Sequence, residues 1–271
     1  MLMTPVANAV SDILFATDFS DSSHRAQICA KHIARLRGVH VRTVHIIDLA
    51  ETEGLLSKVQ DRAYRELRRI RRDLRLAGVK EQANLITGPS AAKGVCDTAR
   101  KYKAGMLIIG LSADTFIISS AMGTTAKRIL RRAPCPVMTV GIRTEDPPSH
   151  IFNRVLYVVD TAPESIEAAL ASWPVENKLD APHFVVLPPG EKRRPISAED
   201  AAAELQISND NAAALMLLAT KELKPDLIVF GLKTGGYLDA WGPLGVANKL
   251  IGNAPCPVLT VRDRPPAVPV E

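Results

Sequence analysis

Apolar positions in the first half of the chain follow two alternating rhythms. Short β-branched runs at Ile13 to Thr17, Val39 to Ile47, Ala83 to Ile86, Met106 to Ile109 and Val137 to Val140 read as strands. Between them the spacing turns helical. Ser23 to Arg37 places Ala26, Ile28, Cys29, Ile33 and Leu36 on one side. Val59, Ala63, Leu67, Ile70, Leu74 and Ala77 form a second stripe. Ala91 to Lys103 and Thr124 to Arg131 complete the helical set. Strands alternating with helices of this length predict βαβ crossovers and a parallel sheet covered on both faces. In such sheets ligands bind at the carboxyl ends of the strands, where the strand order reverses.

The pattern then repeats. Arg132-Ala133-Pro134-Cys135-Pro136-Val137-Met138-Thr139-Val140 returns as Asn253-Ala254-Pro255-Cys256-Pro257-Val258-Leu259-Thr260-Val261, an offset of 121. Met106 to Gly110 returns at the same offset as Leu227 to Gly231. Asp12 to Asp18 matches Arg154 to Asp160, now at an offset of 142, so the second copy is shorter in its middle. A period of this size means a duplicated domain rather than a solenoid of short repeats. The polar, proline-bearing stretch Arg143 to His150 suits a linker. The expected domains are residues 1–144 and 151–263, followed by a proline-rich tail.

Composition narrows the function. The chain has 271 residues, 46% hydrophobic and 23% charged, ordinary values for a protein with a real core. At 4% aromatic residues, stacking platforms for single-stranded nucleic acid are not expected. No apolar run is long enough to span a membrane, and Met1 to Val10 lacks the features of a secretory leader. The cysteines at 29, 96, 135 and 256 form no CxxC pair and have no histidine at ligand spacing, so they read as reduced, buried thiols with no metal site. Net charge is +5, and the basic stretch Lys58 to Arg75 contributes heavily to it. Because Asp61, Glu66 and Asp73 interleave there, it reads as a solvated helix face rather than a nucleic-acid surface.

Two places can carry chemistry. Asp18 ends the first strand, where a carboxylate can accept from an amine or a ribose hydroxyl, or can cap the following helix together with Ser20, Asp21 or Ser22. After the fourth strand come Gly110, Ser112 and Ala113, then Gly123-Thr124-Thr125 at the mouth of a helix. Backbone N–H groups and hydroxyls there can meet a phosphate, or simply form a turn and a helix cap.

Taken together, Ile13-Leu14-Phe15-Ala16-Thr17-Asp18-Phe19-Ser20, Val44-His45-Ile46-Ile47-Asp48, the closing Ala-Pro-Cys-Pro-Val and Gly110-x2-Ala113-x9-Gly123-Thr124 resemble the universal stress protein family over both halves of the chain. The resemblance implies an α/β fold of two tandem, doubly wound parallel five-stranded sheets in the order 3-2-1-4-5, of the adenine-nucleotide alpha-hydrolase-like type. It implies self-association through the last strand and a cytoplasmic role in stress tolerance. One branch of that family binds ATP and another does not. Carried onto this chain, Asp18 and the backbone of Ile46 would meet the adenosine end of the nucleotide. Gly110, Ser112, Gly123, Thr124 and Thr125 would cradle its phosphates, with Ala113 standing where the family has glycine. ATP is the expected ligand, with ADP, AMP and cyclic AMP left open and Mg2+ as an accompanying ion.

The second copy keeps Asp160, but Gly245 is followed by Val246, which has no hydroxyl, so this half is expected to be a structural or regulatory partner. Val137 to Val140 and Val258 to Val261 occupy matching edges and are expected to pair antiparallel, making the chain an internal pseudo-dimer. A homodimer of the whole chain stays open. Two functions compete: an ATP-binding stress-response module, and a scaffold that acts through protein contacts without nucleotide. A slow ATPase is a third, with no nucleophile–base pair, metal cluster or P-loop lysine in its favour.

Overall fold

A computed structural model describes residues 12–49, 55–111, 123–141, 144, 152, 154–159, 171, 173, 183–186, 220–232 and 246–262. The first half runs β1 (Ile13–Ala16), α1 (Asp21–Arg37), β2 (Val41–Asp48), α2 (Leu56–Leu76), β3 (Glu81–Gly88), α3 (Ala91–Lys101), β4 (Met106–Leu111), α4 (Thr124–Arg132) and β5 (Val137–Gly141). The second half contributes β6 (Val155–Val159), β7 (His183–Val186), β8 (Leu227–Leu232), α5 (Val246–Asn253) and β9 (Val258–Arg262).

The strands form one nine-stranded sheet in the order β3-β2-β1-β4-β5-β9-β8-β6-β7. Every neighbouring pair is parallel except β5 and β9. The first half therefore has the expected 3-2-1-4-5 order. Among the described residues the second half repeats its last four positions, with β7, β6, β8 and β9 standing for β2, β1, β4 and β5, and shows no counterpart of β3. The two sheets join at β5 and β9, the antiparallel pairing expected, because the two free edges satisfy each other's backbone groups.

Alternation along each strand sends side chains to opposite faces, and both faces are dry. Ile13, Phe15, Met106 and Ile108 pack beneath Ala26, Cys29, Ala30 and Ile33 of α1 and Ile70 and Leu74 of α2. Leu14, Ala16, Leu107 and Ile109 face the other way, onto Val95, Cys96 and Ala99 of α3, Ile129 and Leu130 of α4, and Leu250 and Ile251 of α5. The ends of α1 follow from its sequence. Ser20 is the N-cap, its side chain accepting from the Ser23 N–H, and Gly38 closes the helix at φ 65°, where any side chain would be strained.

Two elements were not fully visible in the hydrophobic pattern. β3 reaches from Glu81 to Gly88, beyond the Ala83 to Ile86 expected, because an edge strand accepts polar ends. Glu81, its side chain fully covered, takes ion pairs from Arg71 and Arg75 of α2. β7 lies in a stretch of the second copy whose hydrophobic pattern predicts no element.

The seam is closed on three levels. Val137 faces Thr260, Met138 faces Leu259 and Thr139 faces Val258, so the two copies meet about a local two-fold at Met138 and Leu259. The Thr139 hydroxyl donates to the Val258 carbonyl at 3.2 Å, and an Arg262 guanidinium N–H donates to the Leu130 carbonyl at 3.1 Å, near the C-terminus of α4. On the opposite face Arg37 of α1 lies 4.2 Å over the Trp173 ring, which Phe152 meets edge-on at 5.3 Å. The four cysteines are free thiols within this packing. Burial pushes Cys29 and Cys135 up to about 12 and Cys96 to about 11, and raises Cys256 as well, so none is a thiolate at neutral pH.

Thr139 is 1% exposed, and its hydroxyl bonds across the seam. Thr139→Val keeps the shape and removes that bond, and is expected to cost about 1 kcal/mol. Urea unfolding measures it, and a variant as stable as the parent would mean that the hydroxyl contributes nothing to joining the halves.

Candidate functional site

The strand order places a crevice where β1 and β4 send their connections to opposite faces, α1 to one and α4 to the other. At the carboxyl end of β1 the chain turns sharply through Thr17, Asp18 and Phe19. Phe19 adopts φ 64°, a rare conformation for a side-chain-bearing residue. The turn is fixed by local bonds: the Thr17 hydroxyl accepts from the Phe19 N–H at 3.0 Å. Oδ1 of Asp18 accepts from the Ser20 N–H at 3.0 Å and from the hydroxyls of Ser20 and Ser23, each at 2.5 Å. Asp18 thus organises the start of α1 through two serines, while Ser20 itself caps the helix. The carboxylate is nevertheless exposed at the sheet edge.

Gly110 sits one residue before the end of β4. A Cβ there would lie 2.4 Å from the Ser23 nitrogen and 2.5 Å from the Ser22 carbonyl carbon. The first turn of α1 therefore rests directly on β4, and only glycine allows that approach. This supplies a packing reason for Gly110 that its expected contact with phosphate had left out. It also ties Asp18 and Gly110 into one unit, since Ser23 touches both.

β2 forms the flank. β1 pairs with it only as far as Ala16 opposite Val44, and the Thr17 N–H then bonds the Val44 carbonyl at 3.0 Å. Residues 46–48 continue beside β3 with no strand on the β1 side. The side chain of Ile46 is buried against Gly94 of α3, so its backbone is the part that can meet a ligand. Next to it is a residue that the sequence analysis did not single out for a role. Nδ1 of His45 lies 2.7 Å from the Thr17 carbonyl, and its ring stacks on Phe19 with centroids 4.2 Å apart. Burial lowers the His45 pKa, opposed by the Thr17 carbonyl and the Asp18 charge, so the neutral ring donates to Thr17 and braces the turn. Its position one residue before Ile46 was the available signal, but stacking on Phe19 requires the fold.

The fourth component is the N-terminus of α4. Gly123 is its N-cap at φ −62° and ψ 158°, and among the described residues nothing caps it with a side chain or lies within 4 Å of where a Cβ would stand. Thr124 and Thr125 are exposed, and the first turn holds no acidic residue. Such a helix end favours an anion. Ser112 and Ala113 lie outside the described residues, as do Asp160 and Gly245 of the second copy.

Residues 10–141 match the model of the Universal stress protein family. Over that span, the chain carries a universal stress protein domain. A curated universal stress protein of Methanocaldococcus jannaschii is 25% identical over 142 residues, which cover 49% of this chain and 83% of that protein. A universal stress protein structure from Archaeoglobus fulgidus aligns with 94% of this chain and 97% of its own, with a TM-score of 0.70 and 15% identity. That likeness extends the fold across both halves. Another universal stress protein from Archaeoglobus fulgidus, solved in complex with dAMP, is 25% identical and covers 48% of this chain and 97% of its own, with a TM-score of 0.40.

The two glycines of this universal stress protein domain should behave differently. Gly110→Ala forces a Cβ into the backbone of α1 and is expected to destabilise by about 1–3 kcal/mol. Gly123→Ala meets no described residue and should cost less than about 1 kcal/mol. Equal losses in thermal or urea unfolding would contradict the close approach at Gly110.

His45 predicts a pH effect. Its folded pKa lies below the ordinary value of about 6.5, so the unfolded chain takes up the proton first as pH falls. This stability is intact above about pH 6.5 and is lost as pH falls below it, toward the folded pKa. His45→Asn should flatten that part of the stability curve, whereas an unchanged slope would rule out His45 as its source.

Proposed function

We propose that this universal stress protein domain binds an adenine nucleotide, ATP foremost, in the crevice between β1 and β4. The observation that carries the reading is the convergence of three kinds of group on one sheet edge. An exposed carboxylate at Asp18 suits an adenosine amine or hydroxyl, and the backbone of Ile46 runs beside it past the end of β1. Opposite them, the N-terminus of α4 at Gly123, Thr124 and Thr125, whose N-cap glycine has no side chain, suits phosphate. Gly110 contributes by letting α1 approach β4. Among the described residues no group of three or more His, Cys, Asp or Glu could hold a metal ion. Any Mg2+ would come with the phosphates.

In this reading the protein is a cytoplasmic stress-response module, a tandem repeat of domains at residues 1–144 and 151–263. The second domain is a structural or regulatory partner, and the antiparallel pairing of β5 with β9 supports an internal pseudo-dimer. No helix among the described residues is long and apolar enough to cross a membrane. A scaffold without nucleotide is the competing reading, and it is favoured by Ala113. If the loop needs a positive φ there, alanine opposes the binding-competent form by roughly 1–2 kcal/mol.

Titration calorimetry with ATP separates the two. Asp18→Asn keeps an oxygen for Ser20 and Ser23 but removes the charge, and is expected to weaken binding by about tenfold. Asp160→Asn should leave affinity unchanged, and Ala113→Gly should tighten it by up to about tenfold. Equal losses at Asp18 and Asp160 would refute the assignment to the first half. No binding of any adenine nucleotide at millimolar concentration would establish the scaffold.

A further inference from the structure

The outward face of α2 carries a row of cations that have no ion-pair partner among the described residues. Ala63, Leu67, Ile70 and Leu74 point into the core. Helical spacing then sets Lys58, Arg65 and Arg72, seven residues apart, along the opposite side, with Arg62 and Arg68 flanking them. All five are exposed. The acids interleaved in the sequence do not neutralise them. Asp73 turns inward to Lys31 and Gln27 of α1, and Glu66 pairs with Arg69. Arg71 and Arg75 serve Glu81 of β3. Only Asp61 remains on the outward face, so the row holds most of the formal net charge of +5.

We propose that this face of α2 binds the phosphodiester backbone of nucleic acid without reading its sequence. From Lys58 to Arg72 the row extends about 21 Å along a rigid, convex rod. Its steps of three or four residues, about 5–6 Å, suit successive phosphates, and arginine pairs with phosphate through two N–H groups at once. A membrane surface fits less well. A helix bound at a lipid interface buries its apolar face there, and the apolar face of α2 is already taken by the sheet. Tyr64 is the one aromatic exposed on α2, so base stacking adds little.

The test uses the full chain with a short fluorescein-labelled DNA duplex and a single-stranded RNA of equal length, followed by anisotropy at several salt concentrations. For about four phosphate contacts, affinity should fall about a hundredfold between 50 and 200 mM salt, the log–log slope being near −4. Binding to either probe supports the proposal, and the stronger of the two identifies the strand geometry preferred. Replacing Arg62, Arg65, Arg68 and Arg72 together by Gln removes no ion pair seen in the structure. It should cost about a hundredfold at 50 mM salt and remove most of the slope. Lys101→Gln with Lys103→Gln, at the end of α3 beyond the other face of the sheet, should change nothing. An equal loss in that control, no binding by the parent protein, or arginine-dependent binding to phosphatidylglycerol vesicles in place of nucleic acid would overturn it.

Discussion

The edge strands β5 and β9 each need a partner for a row of N–H and C=O groups, and each finds it in the other. Much of the architecture depends on that pairing. It turns two parallel sheets into one, carries both hydrophobic layers across the midline without interruption, and sets Arg37 of the first half over Trp173 of the second. The repeat in sequence makes it geometrically natural. Thr139 and Thr260 are equivalent at an offset of 121; Thr139 faces Val258 across the seam and Thr260 faces Val137, the equivalent of Val258. The symmetry is incomplete, however: the Thr139 hydroxyl bonds Val258, whereas the buried Thr260 hydroxyl has no partner among the described residues.

At the carboxyl edge, fold and candidate site are made from the same atoms. The first turn of α1 rests on Gly110, and its serines hold the Asp18 carboxylate. His45 braces the same turn from below by bonding Thr17 and stacking on Phe19. A change in any of these residues alters the position of the others, because interiors packed at this density transmit small displacements. α4 differs in kind. No described residue packs against its N-terminus at Gly123, so its suitability for an anion rests on backbone dipoles and a first turn without acids.

Charge is distributed as unevenly as packing. Acidic side chains on α2 fasten the helix to α1 or to the arginines beside them, and Glu81 of β3 draws two further arginines inward. Stitching the helix down in this way leaves the basic residues of its outer face unbalanced. That imbalance is a by-product of docking α2, and it gives the molecule a surface whose chemistry is independent of the crevice.

Much of this could be read along the chain. Alternation and helical spacing located the strands and helices of the first half, and the recurring Ala-Pro-Cys-Pro-Val exposed the repeat and the matching edges. Asp18, Gly110, Gly123 and Thr124 stood out because carboxylates and glycines at strand and helix ends have few local explanations. The sequence by itself determined the periodicity, the repeat and the candidate residues, since these depend on near neighbours. Only the tertiary structure decided that Gly110 is required by Ser22 and Ser23, that His45 supports Thr17, and that Asp73 faces Lys31 rather than the arginines around it. Each of those contacts joins segments more than 25 residues apart, and periodicity along one element carries no record of what another element will press against it.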